Sequence, residues 1–573
     1  MKIQHSLGVR KFNSIVLASI IEMIVDVLVS LVDIAVTGHI IGENGLSAMN
    51  VIAPITGLTV FTQGMFPIGT SMIYARHMAD FKKKEADGIF GMGLICSWAV
   101  GVLTFFAILL LLPYYLDFMG IQATVRSLIE SYMRFLIFEL MLSAVFELIS
   151  TMVVADGNEY LSMASNIAQP VLNIGLSIWL GRLYGMAGIG MGSLISTVAA
   201  FLILIPHFLS KRCSLRPRVY FSLKDLKKMI LFGWNEECMF VFLPVMFFIV
   251  TKFMIANFGE RWLPVLTVLS SIIELTVLFE ATGEGMRPIL SIYLRDENAE
   301  KVRELTLHSQ KLNLLLGIGF GLVIFVAAPY IPLLFDIEDR ELINVCIFGL
   351  RIYAVGAPAA SMMAFLNSYY LNIGKTGAAL VEMLLMHLFA PVAMMIPVSL
   401  LIGIRGIFVG YALAAYFALL VFLVYIILRF GKKGFPFYFQ NGDYKILNIG
   451  IALEADQIEG ALERLNDFLK DNSVPSKTAM NMQVLFEDTT WLIKEKNTGK
   501  TVYAEWFIKV TDGYADMSVW DSGEIFDITD SDMKLDNFRE YVVSRYMDHT
   551  EIKKHIVTTS FNRNAFQFDV DRK

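Results

Sequence analysis

The chain has 573 residues, 56% of them apolar and 17% charged, with a net charge of −6 and a mean hydropathy of +0.59. Apolar runs long enough to cross a bilayer fill much of the first 430 residues, which makes this an integral membrane protein. So modest a charge gives no argument for a nucleic-acid partner, and Cys96, Cys213, Cys238 and Cys346 are too far apart for a disulfide framework or a metal-ligand motif.

Lys2, Arg10 and Lys11 precede the first apolar run, 13–40, as they would in a signal peptide. The run is too long and too acidic for one and lacks a small-residue cleavage site, so it reads as an uncleaved first helix. At about 100° per residue, Glu22, Asp26 and Asp33 fall within roughly 40° of one another and form one stripe. Three acids in hydrocarbon cost about 8–10 kcal/mol unless they are protonated, paired or facing water. The plainer alternative, strongest for Glu22, is a side chain near the cytoplasmic end reaching the headgroups.

Breaks in the apolar pattern place twelve spans near 13–40, 45–77, 88–116, 122–153, 158–183, 186–209, 231–257, 262–294, 306–335, 340–371, 376–402 and 404–430. Basic residues gather in the loops 78–87, 210–230 and 295–305, at the start, and from Arg429 to Lys433, so the positive-inside rule puts both termini in the cytoplasm of a cell-membrane protein.

The chain also repeats itself. Gly42-Glu43 returns as Gly259-Glu260, and Gly64-Met65-x-Pro67-Ile68 returns as Gly285-Met286-x-Pro288-Ile289. Gly185-x-x-Gly188-Ile189-x-x-Gly192 returns as Gly403-x-x-Gly406-Ile407-x-x-Gly410, and the three separations are 217, 221 and 218. Six spans per unit makes the halves parallel repeats about an axis along the membrane normal, with a substrate cavity expected between them. The domains are therefore an N-terminal lobe (1–209), a basic linker (210–230), a C-terminal lobe (231–430), a short linker (431–440) and a soluble part (441–573).

In the fifth span Asn166, Gln169, Asn173 and Ser177 form a second polar stripe beside Pro170. The repeat partners of both stripes are apolar: Met239, Leu243 and Val250 for the first, Met383, Met386, Ala390 and Met394 for the second. If the two polar faces meet, they make a buried carboxylate and amide cluster suited to a proton or a hard cation, or else a purely structural hydrogen-bond network. Glu280, Glu284 and Arg287 read as a structural group, and Glu139, Glu147, Glu274, Glu382 and His387 as isolated residues satisfied by packing.

Val32-Asp33-x-x-Val36-x-Gly38, Leu46-x-Ala48 and Gly64 to Gly69, taken with the duplication, resemble the multidrug and toxic compound extrusion (MATE) family over roughly 10–430. The resemblance implies a cation-coupled antiporter, driven by H+ or Na+, that alternates between inward-open and outward-open shapes and exports amphipathic small molecules. It also implies a coupling site at Asp33 and Asn173, with Glu22 or Asp26 supplying charge where the family's Leu-Asn-x-x-x-Asp pattern ends in Ser177, and with Asn166 and Gln169 nearby. The opening of the seventh span departs from the family, as Gly233-Trp234-Asn235.

In the soluble part, Lys445 to Ala452, Val502 to Val510 and Tyr514 to Trp520 read as strands, with two more between Lys554 and Val570. Gln457 to Leu469, Lys477 to Glu495 and Phe538 to Met547 read as helices, giving an α/β sandwich beside an all-α membrane part. Glu487 on a helix and Asp521-Ser522-Gly523 after a strand make this part similar to the anti-sigma-factor serine kinases of the histidine-kinase ATPase superfamily. That resemblance implies a base at Glu487 and an adenine reader at Asp521, but Trp491 replaces the magnesium-holding Asn and no glycine follows Gly523 to build a phosphate lid. The expectation is a degenerate module that binds no ATP and serves a cytoplasmic regulatory or partner-binding role.

The reading is of a transporter, not an enzyme, in a lipid bilayer, needing no cofactor beyond its coupling ion. A membrane receptor signalling through residues 441–573 is one alternative; a lipid-linked-precursor flippase is another, disfavoured by the scarcity of Arg and Lys inside the spans.

Overall fold

The computed structural model describes residues 6–119, 123–211, 213–334, 339–436, 444–524, 538–547, 550, 552–557 and 562–570. The first lobe contains α1 (Leu7–Ile41), α2 (Glu43–Ala79), α3 (Lys83–Met119), α4 (Ala123–Ala155), α5 (Glu159–Tyr184) and α6 (Met186–Leu209). After an extended stretch, 213–222, the second lobe contains α7 (Leu223–Glu237), α8 (Met239–Phe258), α9 (Leu263–Glu274), α10 (Ala281–Arg295) and α11 (Ala299–Ala327). It is completed by α12 (Ile331–Leu334), α13 (Arg340–Asn372), α14 (Thr376–Leu384), α15 (Ala390–Ile402) and α16 (Arg405–Phe430). Among the described residues, nine helical stretches are long and apolar enough to cross a membrane.

The breaks between spans are less regular than the sequence suggests. The seventh span starts inside the basic linker: Ser222 caps α7 by accepting from the Asp225 amide at 3.3 Å, and the helix is interrupted at Cys238. The eighth passes through a 3₁₀ segment, Leu275–Glu280, and the eleventh through a π segment, Leu385–Phe389. Such interruptions cost hydrogen-bond geometry and tend to sit beside functional sites.

The repeated glycine motif has one job in both lobes. Gly185 (φ 60°) and Gly403 (φ 73°) turn the chain back in the left-handed region, at the α5–α6 and α15–α16 corners. The glycines that follow let the paired helices touch backbone to backbone: a Cβ on Gly188 would lie 2.0 Å from the Leu180 carbonyl oxygen, and one on Gly406 2.4 Å from the Ser399 Cα.

The largest core crosses from one lobe to the other at one end of the molecule, running from Phe12 and Val16 of α1 through Ile289 and Leu290 of α10 to Phe365 of α13 and Phe422 of α16. Trp520 and Ile556 of the C-terminal part belong to the same core, so this is the end on which that part is docked.

The C-terminal part is a five-stranded sheet with all neighbours antiparallel, in the order β1-β2-β3-β5-β4. Its elements are β1 (Lys445–Ala452), α17 (Ala455–Asp471), α18 (Ser476–Lys496), β2 (Tyr503–Val510), β3 (Tyr514–Asp521), α19 (Phe538–Met547), β4 (Ile552–Val557) and β5 (Asn562–Asp569). Strand alternation gives the sheet two different faces. Trp506, Ile508, Met517 and Val519 pack with Leu465, Leu485 and Phe486 of the helices. Glu505 and Lys509 point the other way, toward the membrane helices, and are buried there. Covering both faces explains why seven of the eight residues of β2 are buried although only one face is apolar throughout.

Candidate functional site

Where α1 passes α5, Lys11 Nζ donates to the Gly157 carbonyl at 2.8 Å and to Glu159 Oε2 at 2.5 Å, and Ser14 Oγ donates to Glu159 Oε1 at 2.5 Å. Two turns further along, the Asn166 amide donates to Glu22. Asn166 is oriented by Ser150, whose hydroxyl donates to Asn166 Oδ1 at 3.0 Å and lies 2.7 Å from that of Ser162. The second lobe closes the other side: Ser19 donates to Glu284, and the Arg287 guanidinium donates to Ser71 Oγ at 2.8 Å.

Between these groups lies an open cavity, with Glu22, Glu147, Glu159, Glu284 and Arg287 on its wall. Four carboxylates thus face one guanidinium, with Lys11 held against Glu159 behind them. An acid surplus at the meeting of two lobes is a set of hard oxygen donors, fit for a proton or a small cation and, in a larger opening, for an organic cation.

The residues singled out from the sequence are divided between places. The side chains of Asp26 and Asp33 lie outside the described residues. Glu22 and Asn166 are brought together. The remainder of the fifth-span stripe turns toward α6: Gln169 Nε2 donates to Thr197 Oγ1 at 3.2 Å, and Asn173 Oδ1 accepts from Ser177 at 3.1 Å and Ser193 at 3.2 Å. One stripe serves two neighbours because α5 packs against both α1 and α6, so its polar face looks into the groove between them. Glu139 is tied into the same network through Thr197 at 3.2 Å and Ser143 at 2.5 Å.

Two clusters escaped the sequence. Glu382 and His387 are not isolated: they share a second, smaller cavity with Glu280, and Glu382 accepts from Asn367 Nδ2 at 2.8 Å. The comparison of repeats missed this because Glu382 sits one residue before the apolar Met383, and the π segment rotates the helix face locally. Cys213 likewise comes within 4.8 Å of Asp156 and His207, the only such group among the described residues with metal-ligand atoms this close. Asp156 is already engaged, however, by the Ser214 amide at 3.0 Å, the Ser214 hydroxyl and His207 Nε2 at 3.0 Å, so the cluster acts as a knot fastening the linker to the first lobe.

In the sheet domain, Asp521 is fully buried, and its Oδ1 accepts from Asn562 Nδ2 and from the Gly523 amide, both at 2.9 Å. Burial pushes its carboxyl up to about 6, against the pull of those two donors. One of the two oxygens of the acid that the kinase resemblance assigns to adenine is thus held by the chain itself. Trp491 lies 5.3 Å under the Arg539 guanidinium, which also pairs with Asp488 at 2.8 Å and Glu495 at 2.8 Å, and Glu487 is half-buried on the same helix.

Two helical lobes, a polar cavity at their meeting and, among the described residues, nine apolar helices define a multi-pass membrane protein. The chain belongs to the MatE family, whose pattern it matches over residues 18–179 and 238–396, once in each lobe and over more than half its length. Solved structures repeat the fold. A MOP superfamily transporter from Pyrococcus furiosus is similar at 19% identity and TM-score 0.68, covering 74% of this chain and 95% of that one. A multidrug resistance MATE transporter in an outward-facing conformation is similar to the same degree. A MATE protein crystallised with MaD5 matches at 18% identity and TM-score 0.67, covering 74% of this chain and 98% of that one. The comparison with curated protein sequences gives no match.

Proposed function

We propose that the protein is a secondary active antiporter that exports amphipathic small molecules by cation-coupled alternating access. The observation that carries this reading is the cavity whose acids come from both lobes, Glu22 and Glu159 from the first and Glu284 from the second. A cation or proton taken up there changes the charge at the meeting of the lobes, and so biases which shape is favoured. Glu22 with Asn166 is the core of the coupling site, to which the sequence pattern adds Asp26 and Asp33 and, on the side of α5 that faces α6, Gln169, Asn173 and Ser177. The coupling ion is H+ or Na+, and no ATP is required. The reading has twelve spans, taking α1, α2 and α5 together with the nine apolar helices among the described residues. The basic loops support a cytoplasmic position for the sheet domain, and the reading makes it a regulatory module that binds no nucleotide.

Everted membrane vesicles loaded with a panel of fluorescent dyes, with and without a pH gradient and sodium, test activity and coupling together. Ion-dependent dye movement is expected; movement indifferent to both gradients overturns the coupling. A second reading, a receptor that relays ligand binding to the sheet domain, is favoured by the docking of that domain on both lobes. A chain shortened to residue 440 separates them: a receptor loses its downstream output while transport persists, whereas an antiporter with a regulatory tail changes its transport.

A further inference from the structure

We propose that the sheet domain is a latch: it holds the two lobes together at the end where it docks, with Arg563 as the bolt, and it releases on the first-lobe side when that end opens. The inference rests on the alternating-access and regulatory readings above and adds to them a mechanism and a direction.

The sheet lies across two loops at equivalent places in the two lobes, one between α2 and α3 and one between α10 and α11. Both contain a non-glycine residue in the left-handed region, Phe81 at φ 60° and Glu297 at φ 55°, and both of these residues touch the sheet. Arg563, on β5, is 1% exposed. One of its terminal nitrogens donates to the Ala79 carbonyl at 2.8 Å, the other pairs with the Asp296 carboxylate, and its guanidinium stands 4.3 Å from the centre of the Phe81 ring. A single rigid fork therefore holds a backbone oxygen of the first lobe and an acid of the second. Beside it Arg295 of the second lobe pairs with Asp80 of the first at 2.7 Å, so the sheet reinforces a place where the lobes already meet.

The rest of the dock is lopsided. On the second lobe, Lys509 pairs with Glu297 at 2.6 Å, Glu505 with Lys301 at 2.9 Å, and Asn448 with Asn298 at 2.7 Å. On the first lobe, Arg563 is joined by Arg10, stacked 3.8 Å over the Tyr503 ring. The domain also follows α16 in the chain. When the lobes part at this end, the contacts to Ala79, Phe81 and Arg10 give way and the sheet travels with the second lobe.

The test uses the full chain in nanodiscs, with spin labels on noncanonical side chains at 84 and 303. Both are exposed positions on opposite lobes, and the four native cysteines stay in place. Arg563→Ala is expected to raise the ratio of long to short label separations about tenfold, Arg563→Lys to give an intermediate shift, and Arg10→Ala a smaller one. Hydrogen exchange of the β2 and β3 amides, unchanged in each variant, shows that the sheet remains folded; if Arg563→Ala unfolds it, Arg10→Ala decides alone. Dye transport is read on the same variants. Longer separations with altered transport support the latch. Unchanged separations overturn it, and then altered transport leaves the regulatory reading standing while unaltered transport removes that too. Longer separations with unaltered transport keep the latch and overturn the regulatory reading.

Discussion

The cavity between the lobes and the seam beneath the sheet both take charged side chains out of water, yet they are built in opposite ways. Around the cavity the acids outnumber the bases, and the walls stand apart. Along the seam opposite charges are paired: Arg563 with Asp296, Lys509 with Glu297, Lys301 with Glu505. Matched charges in the seam act as specific glue, and where the partner is buried its loss leaves an orphan. An excess of acids that water or an exchangeable cation can compensate suits a site that must fill and empty.

The sharpest way to break the contrast is Glu22→Gln, which keeps the contact to Asn166 and removes the charge. Gradient-driven dye export in everted vesicles is expected to fall about a hundredfold, with folding unaffected; export at the normal rate would make the cluster a packing device. Asp521 carries the contrast into the sheet itself, as a fully buried acid held by amide donors and, among the described residues, by no cation. Its pKa of about 6 lies above the unfolded carboxylate value, so its favourable contribution is complete below about pH 4 and is lost as pH rises through 6. Between those limits the sheet should lose about 2–3 kcal/mol, and Asp521→Asn should flatten the profile, read as hydrogen-exchange protection of β3 and β5 against pH.

On the balanced side, Glu505→Ala deprives Lys301 of one of its two acids, Glu304 being the other. It should weaken docking by about 2 kcal/mol, seen as faster exchange at the start of α11; no change would mean that the seam is held by packing alone. The smallest effect belongs to Lys500→Ala. Its pair with Glu524 is exposed on both sides, and the thermal midpoint should move by less than about 0.5 kcal/mol equivalent.

Much of this was legible in the chain because it is local. Apolar length predicts helices, period-two alternation predicts strands, and the repeated glycine octet locates the α5–α6 and α15–α16 corners, where only glycine has the backbone freedom and the missing Cβ that the turn demands. The expected contact between the first- and fifth-span stripes has its counterpart in Glu22 beside Asn166. Spacing alone did not show that Gln169, Asn173 and Ser177 face α6, because a stripe on a wheel does not name the neighbour it meets. Glu280 read as unrelated to Glu382 and His387 because it is about 100 positions from them and meets them through two irregular turns.

By itself the sequence determined a two-lobed membrane protein with a soluble α/β tail and a charged first helix, since hydropathy, periodicity and glycine placement act over a few residues at a time. Only the tertiary structure decided that the tail's polar sheet face is an interface, that Arg563 reaches both lobes, and which acids share a cavity. Electrostatic complementarity depends on distances across the fold, and 267 residues of chain separate Asp296 from the arginine that neutralises it.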